Sequence, residues 1–383
     1  MKLALVRARY NPFGGAERFL NDVVAALATS EPPVSLTLFT REWPAQGGGG
    51  MAHRIVNPGY LTSTGRDRGF ADAVRHALVS EPFDLVQSYE RIAGANIYHA
   101  VDGVHAEWLA QRQRIQSTVG RLGVALNPHH RYVLDAERAM FMSPAFKAAI
   151  CISTMVRDDI LRRFDIDPAR LYVIYSGVDA QKFSPACRDE FRAERRAALG
   201  IPQHAPVALF VGSGFERKGL ALFLRTLVDT ARSGAAPTER WYGLVVGNDK
   251  RIERYKALAR SLGIADRVIF TGGVSDTRPF YGASDVFVLP TIYEPFGLVC
   301  LEALACGLPV ITSSSSGAAE IIQAGKNGYV TDALDTGAIR AAMQSAIANP
   351  AMAIAARASA LPFTTAAMSG QYRSLYRSLL DNS

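Results

Sequence analysis

The sequence predicts an α/β protein made of two doubly wound parallel-sheet domains, and three observations carry that expectation. Short β-branched apolar runs alternate with amphipathic stretches along the chain, the rhythm of parallel strands with helices on both faces. The runs fall into two series with a turn-rich segment between them. At 383 residues, 49% of them apolar, the chain exceeds what one core usually supports and has material for two.

The first series begins with LALVRA, passes through the amphipathic RFLNDVVAALA, and continues with VSLTLFT, FDLVQSY, NIYHAV, AAICIS and YVIYSG. The second runs PVALFVGSG, WYGLVVGN, RVIFTGGV, DVFVLP, LPVITSS and GYVTD. SGVDAQKFSP, residues 176–185, is turn-rich and links them, which sets domains at 1–175 and 176–360. The last segment, 361–383, opens on Pro362 and Phe363 and carries apolar residues at Tyr372, Leu375, Tyr376 and Leu379, a helix that needs a surface to cover. The glycines from Gly47 to Gly50 read as a local flexible loop.

The most informative stretch is YEPFGLVCLEALACGLPVI, Tyr293 to Ile311. VFVLP before it reads as a buried strand ending at Pro290, and LVCLEALACG as a helix stopped by Gly307, so Glu294 falls in the strand-to-helix loop. In a parallel α/β sheet such loops lie at the carboxyl edge, where ligands bind and the next helix presents unpaired N–H groups and its positive dipole end. The amides of Phe296, Gly297 and Leu298 suit a phosphate or sugar there. Glu302, on the second helical turn, could accept hydrogen bonds from a polyhydroxylated part of the same ligand; the competing reading is a solvated helix residue.

FVGSGFERKG, Phe210 to Gly219, places a glycine turn after a strand and then Arg217 and Lys218, two cations suited to a diphosphate leaving group. No Ser or Thr follows Lys218, so this is not the nucleoside triphosphate loop. An exposed surface pair is the alternative. The main chain at Gly273 and Val274, together with Lys250, would read a base. NPFGGAERF repeats the strand, turn and helix design in the first half, where Gly14 and Gly15 permit close approach of a ligand or form a tight turn only. YHAVDGVHAEWLAQR puts Asp102, His105 and Trp108 after a strand. Asp102 could orient or deprotonate an acceptor hydroxyl and His105 bond a sugar, against a turn cap and a structural histidine.

These motifs together resemble the retaining glycosyltransferases of the GT-B fold, of the group 1 and family 4 type. NPFGG, DGVHAEWL, GSGFERKG, VVGNDK and the glutamate pair look most like the UDP-glucose-dependent transferases that extend the inner core of bacterial lipopolysaccharide. The resemblance implies two Rossmann-like domains facing across a cleft, an acceptor-binding first domain to which the C-terminal helix returns, and a nucleotide-sugar-binding second domain. It implies that Glu294 meets the donor sugar, Glu302 the ribose, and Gly14 and Gly15 the donor phosphates. Anomeric configuration would be kept, with the donor phosphate helping to take the acceptor proton. Phe296 stands where lipopolysaccharide members can have a small residue, and the matching glucosyltransferase lacks a counterpart of His105. Among donors the resemblance puts UDP-glucose first, with UDP-N-acetylglucosamine, UDP-galactose and GDP-mannose behind it. A UDP-sugar epimerase of the same fold and an inactive nucleotide-binding module are the other classes.

No metal and no cofactor beyond the donor are expected. Asp165 and Asp167 mimic a metal-binding Asp-x-Asp, but Asp167 before Pro168 suits a helix cap, and helix dipoles with Arg217 and Lys218 replace the metal in this family. Cys151, Cys187, Cys300 and Cys306 lack metal or secreted-disulfide spacing and read as reduced structural thiols. The first residues read as a strand entering a glycine turn rather than a signal peptide, no run is long enough to cross a bilayer, and a cytoplasmic enzyme is expected. Residues 112–138 concentrate Arg112, Arg114, Arg121, Arg131 and Arg138 with His129 and His130, against Asp135 and Glu137, among apolar residues. Three net charges at about 1 kcal/mol each would hold this segment reversibly on the anionic inner face of the cell membrane, the alternative being a solvated basic loop. Nucleic acid is not expected, since stacking aromatics do not interleave the cations.

Overall fold

The computed structural model describes residues 1–9, 34–42, 52–232 and 240–381. The chain divides into two compact units, Met1–Ser176 with Thr365–Ser383, and Gly177–Thr364. Gly14, Gly15, the helix expected around RFLNDVVAALA and the Gly47–Gly50 loop lie outside the described residues.

In the first unit β1 (Lys2–Val6), β2 (Ser35–Thr40), β3 (Ala52–Ile55), β4 (Leu85–Ser88), β5 (Ile97–His99), β6 (Ala148–Cys151) and β7 (Leu171–Val173) form one sheet in the order β3-β2-β1-β4-β5-β6-β7. Every pairing is parallel. In the second unit β8 (Val207–Val211), β9 (Tyr242–Val246), β10 (Val268–Gly272), β11 (Val286–Leu289), β12 (Val310–Ser313) and β13 (Gly328–Thr331) form a second all-parallel sheet in the order β10-β9-β8-β11-β12-β13. β1, β8 and β11 are buried almost throughout, which is why they read as continuous apolar runs. β3 is the strand the sequence did not show. All four of its residues are exposed on the sheet edge, so no apolar pattern marks it.

Strand order reverses between β1 and β4 in one sheet and between β8 and β11 in the other. Loops leaving the carboxyl ends of those strands diverge and open a crevice, the usual ligand site of doubly wound sheets.

The closing helix, Thr365–Asp381, belongs to the first unit. Met368, Tyr372, Leu375, Tyr376 and Leu379 recur at helical spacing and join Leu3, Leu5, Leu85, Ile97 and Ile150 in one buried cluster. The Tyr376 hydroxyl donates to Gln87 Oε1 at 2.6 Å, and the Tyr372 hydroxyl lies 3.2 Å from His99 Nε2. Where the chain enters and leaves the second unit, its two passages run side by side, with Val178 N–H donating to the Phe363 carbonyl at 2.9 Å. All four cysteines are free and buried. Among the described residues no helix is long and apolar enough to cross a membrane.

Burial pushes the His99 imidazole down to about 3 from 6.5. The unfolded chain takes up this proton near 6.5 and the folded one only near 3, so the stability it contributes is complete above that window and is lost as pH falls through it. Denaturant unfolding of the wild type is therefore expected to weaken as pH falls below about 6.5, and His99→Gln to flatten that dependence; an unchanged slope would contradict the assignment. Tyr372→Ala is expected to cost about 3–5 kcal/mol in the same measurement.

Candidate functional site at the strand carboxyl ends

At the β8/β11 switch, the two loops that leave the sheet bring Arg217, Lys218 and Glu294 together. Lys218 Nζ donates to Glu294 Oε2 at 2.5 Å, and Arg217 Nη2 lies 3.4 Å from the same oxygen. Lys218 and Glu294 are buried, while Arg217 is about a third exposed. Burial alone would raise the Glu294 carboxyl, but the charges of Arg217 and Lys218 and the Lys218 hydrogen bond outweigh it and hold it below its ordinary value. Two cations on one carboxylate leave a positive charge over, which favours an anion.

The loops are locked to each other through the main chain. The Arg217 carbonyl accepts from Ile292 N–H at 2.8 Å and from the Thr291 hydroxyl at 2.9 Å. Phe215 N–H donates to Asp249 Oδ2 at 3.0 Å, tying the β8 loop to the β9 loop. Gly212 lets the Lys218 stem lie across the end of β8: a Cβ there would stand 2.5 Å from Lys218 Cδ, and the backbone has φ +148°. Gly297, at φ 87°, turns the chain into helix Leu298–Ala305 in a left-handed conformation. That helix's first N–H groups, Leu298 and Val299, precede its first hydrogen bond, from Cys300 N–H to the Gly297 carbonyl at 2.8 Å, and have no intrahelical acceptor.

Sequence reasoning missed the serine run after β12. Glu294 N–H donates to the Ser315 carbonyl at 2.9 Å, and Gly317 N–H to the Glu294 carbonyl at 2.9 Å. The Ser313 and Ser315 hydroxyls both donate to the Thr291 carbonyl, at 2.5 and 2.9 Å, and the Ser316 hydroxyl to the Phe296 carbonyl at 3.3 Å. Five hydroxyl residues in succession at a strand end, Thr312 to Ser316, were the available signal, because buried loop carbonyls need donors.

Glu302 is placed differently from Glu294. It is buried in helix Leu298–Ala305 and accepts the Tyr281 hydroxyl at 2.8 Å. The Phe296 side chain is core, and its carbonyl accepts Ala318 N–H at 2.8 Å. Lys250 is exposed in the turn after β9, and Val274 is half-buried in the loop after β10, both at the carboxyl edge.

In the first unit, Asp102 is exposed in the turn after β5 and His105 opens helix His105–Gln113. His105 N–H donates to Glu137 Oε1 and Oε2 at 3.1 and 3.2 Å, and its Nε2 lies 3.1 Å from His130 Nδ1. Burial first, then Arg91 and the neighbouring imidazoles, push His105 down to about 3, so the ring is neutral. Glu137, counted in the sequence among the charges of the basic segment, is instead buried and paired with Arg91 at 2.9 Å, and Arg91 also donates to the Gly103 carbonyl at 3.0 Å. This pair braces the Asp102–His105 turn from below, and its separation in sequence hid it. Asp167 caps the turn Pro168–Arg170, accepting Ala169 N–H at 2.9 Å.

Two family models match in succession: Glycosyltransferase Family 4 over residues 13–182 and Glycosyl transferases group 1 over residues 191–360. The chain belongs to these glycosyltransferases. It is 28% identical to the lipopolysaccharide glucosyltransferase WaaG of Escherichia coli over 86% of its own length and 85% of that protein. The crystal structure of WaaG, a glycosyltransferase involved in lipopolysaccharide biosynthesis, superposes with a TM-score of 0.83 at 24% identity, covering 97% of this chain and 99% of that one. The structure of Anabaena Alr3699/HepE in complex with UDP and glucose superposes at 0.71 and 19% identity over 99% and 100% of the two chains. A D-inositol 3-phosphate glycosyltransferase of Rhodococcus opacus is 34% identical, but over 54% of this chain and only 47% of that protein. The fold is thus the two-domain GT-B architecture expected from the sequence.

Lys218→Met removes the nearer cation and is expected to raise the Glu294 pKa, read by carbon-detected NMR titration of the labelled carboxyl; an unmoved titration would contradict the pairing. Gly212→Ala is expected to displace Lys218 and to lower the melting temperature by several degrees, since it combines strain with overpacking.

Proposed function

We propose that the protein is a retaining, metal-independent hexosyltransferase that moves glucose from UDP-glucose to a glycolipid acceptor of the lipopolysaccharide inner-core type. The observation that carries this reading is the Arg217, Lys218 and Glu294 constellation at the β8/β11 switch. As the bond between the sugar C1 and the diphosphate oxygen breaks, negative charge grows on the phosphate. Arg217, Lys218 and the N-terminus of helix Leu298–Ala305 supply the opposing charge that a metal ion supplies elsewhere. The acceptor oxygen bonds to C1 on the face that the diphosphate leaves, and its proton passes to a departing phosphate oxygen. Atoms and charge balance, and the anomeric configuration is kept. Glu294 Oε1, which has no hydrogen-bond partner among the described residues, is available to a sugar hydroxyl. The ribose shares Glu302 with Tyr281, and the loops carrying Lys250 and Val274 frame the base. Asp102 and His105 belong to the acceptor side.

The similarity to WaaG supports the donor and acceptor classes, and the UDP and glucose held by HepE support the base and the sugar. The Rhodococcus relative favours a second reading, transfer to D-inositol 3-phosphate.

Attachment to the inner face of the membrane fits the segment 112–138. Val119, Leu122 and Leu126 are 81, 60 and 72% exposed and share one face of helix Thr118–Ala125 and its end, beside Arg121 and Arg131. With Glu137 turned inward, Asp135 is the acid left on the outer side of this segment.

With UDP-[13C]glucose and deep-rough lipopolysaccharide, the product is expected to carry an α-linked glucose by NMR, and Lys218→Ala to lower kcat/KM by about 10²–10³ while EDTA leaves the rate unchanged. An inverted product or loss of rate on chelation would refute the mechanism. Val119→Ser with Leu122→Ser and Leu126→Ser is expected to lower binding to phosphatidylglycerol-containing vesicles about tenfold or more without changing UDP binding.

A further inference from the structure

The second sheet carries a hollow at the edge opposite Lys218 and Glu294. Its volume of about 650 Å³ falls within the range of about 300–1,000 Å³ usual for small-molecule pockets. Pro206, Asp285 and Pro309, each the residue just before β8, β11 or β12, line it, which puts it at the amino edge of the sheet. Helix Ala186–Ala198 contributes one wall, and the end of helix Thr336–Ile347 with helix Ala351–Ala360 contributes another.

Cations outnumber acids around this hollow. Arg188, Arg192 and Arg196 recur every four residues along one face of helix Ala186–Ala198, an arrangement that repels unless an anion opposes it. Asp285 meets all three, and its oxygens are full. Oδ2 accepts from Arg196 at 2.8 Å and from Val207 N–H at 2.9 Å, and Oδ1 accepts from Arg192 at 2.8 Å with Arg188 Nη2 3.5 Å away. Arg196 is buried and also donates to the carbonyls of Ala283, Pro202, Gln203 and Ala205, so it forms a structural pair with Asp285. Half-exposed Arg188 and the more covered Arg192 line the hollow as surplus charge. Burial lowers the Arg192 guanidinium from its ordinary value, Asp285 opposes the fall, and Arg188 adds to it. A third lining cation, Arg357, donates to the carbonyls of Phe183, Ala305 and Ala180 and meets no acid among the described residues. Asp189, Glu190 and Glu194 of the arginine helix are exposed, line no part of the hollow, and make no ion pair with these arginines among the described residues.

The remaining walls are carbon. Leu308, Ala346, Ile347, Ala353 and Ile354 line them. Tyr281 is buried with its hydroxyl spent on Glu302 and the Val299 carbonyl, which leaves Asn349 and His204 to meet sugar hydroxyls. A sugar phosphate or nucleotide would therefore bury polar groups without partners. An acid on an aliphatic chain matches both surfaces, its ionised head suiting the guanidinium forks and its chain the apolar walls.

We propose that this hollow is a second ligand site, for a free single-chain amphiphile whose carboxylate or phosphate is held by Arg188 and Arg192 and whose aliphatic chain lies on Ile347 and Ile354. The site is separate from Arg217, Lys218 and Glu294 and stands whether or not the protein is a transferase.

The test uses the full chain with isoleucine methyl groups labelled for NMR, titrated with decyl phosphate below its micelle concentration. The Ile347 and Ile354 methyl resonances are expected to shift and saturate, and inorganic phosphate and decanol, the head and the chain alone, to bind at least about tenfold more weakly. Ile354→Glu sets a carboxylate at a position that is 77% exposed, and read at Ile347 it is expected to weaken binding about tenfold or more. Arg188→Gln is expected to weaken it about threefold or more, and Arg217→Ala, at the other cationic site, to leave it within about twofold of wild type. Shifts confined to other isoleucines such as Ile115, a Kd unchanged in both Ile354→Glu and Arg188→Gln, or loss of binding in Arg217→Ala overturns the site. Decanol or inorganic phosphate binding as tightly as decyl phosphate overturns the ligand class. Shifts of these two methyls with phosphatidylglycerol vesicles and none with decyl phosphate overturn the free amphiphile in favour of a membrane lipid.

Discussion

The hydrogen-bonded ion pair between Lys218 and Glu294 is the interaction on which the rest of the second unit's site depends. It joins loops from strands that are neighbours in the sheet but far apart in sequence, at the point where strand order reverses. A buried ammonium or carboxylate alone would be costly, and removing one partner of such a pair leaves the other uncompensated. Arg217 beside them changes the sum. One carboxylate cannot neutralise two cations, so the site is held in shape by Glu294 and still carries the positive charge that a diphosphate needs.

Holding that geometry takes more than the three charged residues. Thr291 and Ile292 fix the Arg217 carbonyl, the serines after β12 fix the Thr291 and Phe296 carbonyls, and Asp249 fixes the Phe215 amide. Each hydrogen bond contributes on the order of 1 kcal/mol, but together they leave the loops little freedom to relax when a ligand arrives. Preorganisation of this kind is what electrostatic stabilisation of a leaving group requires. In the first unit the Arg91–Glu137 pair does the same for the turn carrying Asp102 and His105, and it shows why a buried acid inside a basic segment is not an error in its charge pattern.

The fold was legible because parallel strands buried on both faces leave unmistakable apolar runs; all six strands of the second sheet coincide with such runs, as do β1, β2 and β4 to β7. β3 was not legible, since an exposed edge strand needs no apolar residue. Of the site, Glu294, Arg217 and Lys218 could be found from local context, each sitting just past a strand end. Tyr281 on Glu302 and Arg91 on Glu137 could not, because tertiary hydrogen bonds have no periodic signature in the chain. Residues 112–138 gave their composition but not their facing: only the structure separates the inward Glu137 from the outward Val119, Leu122 and Leu126.

The most direct measurement of the central claim is a crystal structure of the protein with UDP bound. The account predicts the β-phosphate at the carboxyl ends of β8 and β11, with its oxygens about 2.7–3.2 Å from Lys218 Nζ and the Arg217 guanidinium. A nucleotide bound away from these residues, or phosphates pointing out of the switch point while Lys218 remains on Glu294 alone, would contradict it.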